Sequence, residues 1–174
     1  MQQTLLALAA ILVFSLYALG RHRTDNDVDR RAIGVEVELA ATDAAQARMA
    51  VLEALAFDEE DVERTGVRRT PPTSGLGPDA GETTTLAYDD IDDWHGHVDT
   101  VSVAVGVDAL RFIVTTEVSF VDTAAPDTPS ATPTLAKKAR VFVHEVPETA
   151  LDRAPARVDL RRVVTPASVA ASTR

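Results

Sequence analysis

Hydrophobic and polar positions change their period twice along this 174-residue chain. The first stretch, residues 4–19 (TLLALAAILVFSLYAL), is apolar on every side, and no charge stands between Met1 and Gly20. As a helix it spans about 24–30 Å, the short end of a membrane crossing. A cleaved secretory signal wants Lys or Arg before the run and small residues after it. Here Met-Gln-Gln precedes and Arg21-His22-Arg23 follows, so the segment is expected to be retained. Its candidate anchoring or assembly side chains are Leu5, Leu6, Leu8, Ile11, Leu12, Val13, Phe14, Leu16, Tyr17 and Leu19.

After a polar patch, Arg23 to Asp29, the pattern becomes amphipathic over residues 32–57. Val35, Leu39, Thr42, Ala45, Met49, Leu52 and Ala56 recur at steps of three and four, with Glu36, Glu38, Asp43, Arg48 and Glu53 opposite. That spacing predicts one apolar stripe on a helix. Residues 1–57 then read as a single N-terminal helix, on the order of 80 Å long if unbroken. Gly20 and the Thr24–Asp27 patch are the places where it could kink.

Residues 58–99 lack periodicity and carry turn signals at 70–75 and 77–81. From residue 100 onward the period drops to two. Residues 100–105, 111–121, 139–146 and 157–164 read as four strands, with a proline-bearing loop at 122–134 and a fraying tail from Thr165. A four-stranded antiparallel sheet with one apolar face needs a cover, and the amphipathic half-helix is the available one. The expected fold is α+β: a long N-terminal helix, apolar first and amphipathic second, packed on the sheet through residues 32–57. The regions are the helix (1–57, with 1–20 as membrane or filament-core segment), a connecting loop (58–99) and the β domain (100–174).

Charge narrows the function. The net charge is -10, from 27 acidic and 17 basic side chains, which argues against a nucleic-acid partner. With no cysteine, disulfides and thiolate metal sites are excluded. The densest chemistry is Asp89-Asp90-Ile91-Asp92-Asp93-Trp94-His95-Gly96-His97. Asp89, Asp90, Asp92 and Asp93 could give oxygen ligands to Ca²⁺, and His95 and His97 could hold a transition metal with Asp92 or Asp93. The EF-hand spacing is absent. A turn begun by aspartates and reversed at Gly96 explains the stretch equally without an ion, so no cofactor is required. Ser119, His144 and Asp159 include the residue types of a triad but lack a nucleophile elbow. Glu117 and Glu145 show no pairing for acid–base work. An enzyme is not expected.

The order of short motifs resembles that of type IV pilins. Phe57-Asp58-Glu59 ends the amphipathic half, the Asp-rich segment with Trp94 follows, then Ser119-Phe120-Val121-Asp122 and Lys138-Ala139-Arg140-Val141-Phe142-Val143. This series is similar to minor pilins and prepilin-like proteins, including the D-type minor pilins of mannose-sensitive haemagglutinin pili. Leu76-Gly77-Pro78-Asp79-Ala80-Gly81-Glu82 is similar to pilin-like proteins of the Bacteroidota. The resemblance implies a structural subunit of an extracellular, type IV pilus-like filament. It would be held in the inner membrane before assembly and would then pair with copies of itself or other pilins. A monomeric membrane-anchored accessory protein with a surface β binding domain is the alternative. Two family features are not seen: a basic leader ending in glycine, and an acid near Leu5. Arg21, Arg23, Arg30 and Arg31 follow the apolar run. By the positive-inside rule they place the bulk of the chain in the cytoplasm, opposite to a pilin.

Overall fold

The computed structural model describes residues 2–62, 68–73, 75–105, 108–150 and 153–166. It divides into two units, Met1–Val37 and Glu38–Arg174. One helix, α1 (Gln2–Ala54), runs without interruption through Gly20 and the polar patch, and ends three residues before the expected stop. A single turn, α2 (Glu59–Val62), follows it. Four strands come after: β1 (Val98–Val105), β2 (Asp108–Phe120), β3 (Lys137–Glu145) and β4 (Arg157–Val164). They form one antiparallel sheet in chain order. The α+β class and all four expected strands are therefore observed, with ends moved by up to three residues. Residues 167–174, most of the tail expected to fray, lie outside the described residues.

The first unit is helix alone. In the second unit, the segment from Glu38 to Ala54 belongs to the sheet's apolar side. Ala40, Ala41, Ala45, Met49 and Leu52 are buried, as are Phe112, Val114, Val118 and Phe120 of β2 and Ala139, Val141 and Val143 of β3. Small residues dominate the helix face because a helix lies close to a sheet only where its side chains are short. Polar ties fix the placement at both edges: Arg48 pairs with Asp99 on β1, and Arg162 on β4 pairs with Glu53.

The phase of the stripe differs from expectation at its beginning. Val35 and Leu39 are 66% and 60% exposed, whereas Val37 and Ala41 are fully buried. The expected stripe began at Val35 and Leu39; the buried series is 37, 41, 45, 49 and 52, whose steps of four and three keep one face.

β3 alternates strictly between buried and half-buried residues. Its buried row starts and ends on charges, Lys137 and Glu145, and each is paired. Glu145 meets Arg153 and accepts the Ala156 N–H at 3.1 Å. Lys137 meets the acidic loop.

Candidate functional site

The apolar segment is the first candidate. Leu6, Leu8, Ile11, Leu12, Val13, Phe14, Leu16, Tyr17 and Leu19 are 50–71% exposed, and Leu5's side chain lies outside the described residues. Among the described residues, one helix is long and apolar enough to cross a membrane, and it holds this segment. One face of it carries Leu6, Ala9, Ala10, Val13, Phe14 and Tyr17 as a continuous apolar surface. Such a surface is unfavourable in water by roughly 25 cal/mol per Å².

The second candidate is the acidic loop, which folds back on the exit of α1. Ala56 donates its N–H to Asp89 O at 3.2 Å, and Ile91 donates to Ala56 O at 3.0 Å. This bridge sets Phe57 and Asp58 beside Asp90 to Asp93. The loop then satisfies its own backbone. Asp90 Oδ1 accepts the N–H groups of Asp92 and Asp93 at 2.6 and 3.2 Å. Asp93 Oδ2 accepts those of Asp89 and Asp90 at 3.0 and 3.2 Å. A 3₁₀ turn over Asp92–Trp94 closes it. Gly96, at φ +78°, reverses the chain into β1 with its N–H on Thr116 O, a conformation that other residues adopt at a cost. Trp94 is buried under the Arg48 guanidinium at 4.2 Å and meets Tyr88 and His97 edge-on.

At the centre stands Lys137, fully buried. Its ammonium donates to Phe57 O and, at 2.6 Å, to Asp92 Oδ2, and lies 3.5 Å from Asp58 Oδ2. The Phe57 and Phe120 rings flank it at 4.3 and 5.4 Å. Asp58, Asp90 and Asp92 each bring a carboxylate oxygen within 4.8 Å of the others. Arg68, also buried, closes the outside, reaching Asp58 at 3.1 Å, Glu60 at 3.1 Å and Asp61 at 2.8 Å. Burial pushes Asp90 and Asp92 up to about 6; the charge of Asp92 adds to the rise at Asp90, while Lys137 opposes it at both. The lysine ammonium thus stands against two of these three acids, Asp92 and Asp58.

A second acidic group lies next to the first. Glu59, Glu82 and Asp89 bring oxygens within 4.8 Å of one another near the surface. The neighbouring Asp89 carboxylate pushes Glu59 up to about 6. Glu82 accepts the Asp79 N–H at 2.9 Å, and burial together with contact to Asp93 raises it. The four aspartates named for Ca²⁺ therefore separate: Asp92 pairs with Lys137 and Asp90 groups with Asp92 and Asp58, Asp89 joins the outer group, and Asp93 caps the turn between them.

The remaining candidates do not converge. His95 Nδ1 accepts the Val118 N–H at 3.2 Å, and His97 lies 3.7 Å from Asp99; neither joins an acidic group. Ser119 pairs in register with Lys138, and His144 with Ile113. Six residues of strand, about 20 Å, separate them, so no triad forms with Asp159. Glu117 pairs with Arg140, which also holds Asp159, and Arg161 pairs with Asp159 in turn. The basic side chains on this outer face, Arg140 and Arg161, are largely neutralised there.

Sequence reading missed Lys137, Asp58 and Arg68 as parts of the loop's centre. One signal for Lys137 was present: extending the inward phase of Ala139, Val141 and Val143 back by two residues reaches it. Arg68 sits in an aperiodic segment and gave none. No family model, no curated protein and no solved structure matches this chain.

Proposed function

We propose that this protein is a structural subunit of a type IV pilus-like filament, inserted in a membrane first and assembled through residues 4–19. One observation carries this reading. A single helix bears an apolar segment exposed on all sides and continues as the cover of a four-stranded antiparallel sheet. A bilayer satisfies that segment in the monomer, and a bundle of like helices satisfies it in a polymer. Each Leu, Ile, Val or Phe side chain so withdrawn from water contributes about 1.5–3 kcal/mol. The β domain then forms the outer surface, and its acidic skin keeps filaments apart at low salt.

The test is Ala9→Asp, on the exposed apolar face, combined with electron microscopy of filaments sheared from source cells. A charge at the centre of an apolar helix costs about 2.5–3.5 kcal/mol. The filament reading expects the wild-type chain in sheared filaments and none from the variant. A wild-type chain that stays with membranes, with no filament containing it, overturns this reading in favour of the anchored accessory protein.

A further inference from the structure

The centre of the acidic loop holds the reactants of an amide condensation. An amine and a carboxyl group, Lys137 Nζ and Asp92 Oδ2, are buried 2.6 Å apart. A second carboxylate, Asp58, stands 3.5 Å from the same nitrogen. Two aromatic rings wall the nitrogen in. Asp92 Oδ1 is buried without a hydrogen-bond partner, so one oxygen of the carboxylate makes no hydrogen bond.

We propose that Lys137 and Asp92 condense into an intramolecular isopeptide bond, with Asp58 as the proton carrier. The ammonium first passes a proton to Asp58. The neutral amine then attacks Cγ of Asp92 in its protonated form, making the N–C bond. The C–O bond to one Asp92 oxygen breaks, that oxygen takes a proton from the attacking nitrogen and leaves as water, and Asp58 releases the proton it accepted to solvent, returning to carboxylate. Overall, one ammonium and one carboxylic acid become one amide, one water and one released proton, with no oxidant or reductant.

Three features favour the product. In water the reverse hydrolysis dominates, but fixed reactants reach effective concentrations of about 10⁵–10⁸ M. The buried ion pair, whose desolvation costs several kcal/mol per ion, becomes neutral, and the unpartnered oxygen can depart. The remaining amide N–H keeps Phe57 O as its acceptor. The burial that pushes Asp92 up to about 6 also supplies the protonated acid, so condensation is faster near pH 6 than near pH 8. The bond would join the loop to the start of β3 in a chain that has no cysteine. It does not depend on whether the chain polymerises.

The experiment is mass spectrometry of the denatured full-length chain, extracted in detergent, before and after cleavage at arginine. Cleavage after Arg69, Arg111 and Arg140 places Asp92 and Lys137 on separate fragments, 70–111 and 112–140. The proposal expects a mass below that of the sequence by one water, about 18 Da, and these fragments joined as one branched peptide. Asp92→Ala is expected to keep the full mass, and Asp58→Asn to slow the loss in a time course after synthesis by at least about tenfold. Two linear fragments of unaltered mass from the wild-type chain overturn the bond. A loss of water that persists in Asp92→Ala overturns the assignment, and an unslowed Asp58→Asn overturns the proton carrier.

Discussion

Two groups of three carboxylates, built from the same short stretches of chain, meet opposite fates. Asp58 and Glu59 are neighbours, as are Asp89 and Asp90. Yet Asp58 and Asp90 are buried with Asp92, two of the three against Lys137, while Glu59 and Asp89 lie near the surface with Glu82. The inner group has two buried cations, Lys137 and Arg68. The outer group has no Lys or Arg within ion-pair distance among the described residues. Acid density alone therefore does not define a cation site. What differs is whether the fold delivers its own positive charge, and here a strand pleat delivers it to one group only.

The strongest way to break the comparison is to remove the inner cation. Lys137→Met leaves Asp58 and Asp92 buried without their ammonium. Breaking one side of a buried pair costs about 3–5 kcal/mol, which is a large share of a typical domain's stability. Chemical denaturation of the variant in detergent should show that loss in the β domain, with the helix content of the apolar segment retained. Removing the outer clamp comes next. Arg68→Ala deletes charged hydrogen bonds to Asp58, Glu60 and Asp61, and a loss of about 2–3 kcal/mol by the same measurement is expected.

A pH series tests the comparison without mutation. Asp90 and Asp92 sit at about 6 in the fold, against roughly 3.9 in an unfolded chain. Between these values the folded state binds more protons than the unfolded one, so stability falls as pH rises through the window from about 4 to about 6. The expected decline is on the order of 3 kcal/mol for each acid, and it flattens near pH 7. Asp92 contributes only while it remains a carboxylate, so a condensed chain shows the smaller effect of Asp90 alone. Asp159 acts oppositely: hydrogen bonds from Arg161 and Arg140 hold it well below the usual range. Its contribution is present above the unfolded value and is lost as the pH falls further. Melting temperatures should therefore peak near pH 4–5; a monotonic rise from pH 4 to 8 would contradict the burial of the inner acids.

These regions also differ in how far they can be read from sequence. The apolar segment, the strands and the turn at Gly96 announce themselves because each follows a local rule of period or backbone freedom. The phase of the amphipathic stripe did not, since Leu39 outweighs Ala41 in hydrophobicity and yet Leu39 is exposed and Ala41 buried. Lys137 and Lys138 are adjacent and identical, and only the pleat sends one inward. The division of four aspartates into two groups depends on the Ala56–Asp90 bridge, a contact between segments that no local pattern encodes.

The smallest expected effect lies in the outer group. Glu59 is fully exposed to solvent screening, yet the Asp89 carboxylate beside it pushes it up to about 6. Its charge is therefore unfavourable in the fold near neutral pH, by an amount that salt reduces. Glu59→Gln removes that repulsion while keeping the shape. The melting temperature at pH 7 should rise slightly, by less than Arg68→Ala lowers it. The gain should shrink as salt is added, and should vanish only below about pH 4, where Glu59 is protonated in the unfolded chain as well. The inner group behaves in the opposite sense: Asp92→Asn removes the lysine's partner and should destabilise at every salt concentration, because a buried pair is poorly screened. If both substitutions respond to salt alike, the boundary between the groups is not the one that burial draws, and Lys137 serves all six acids together.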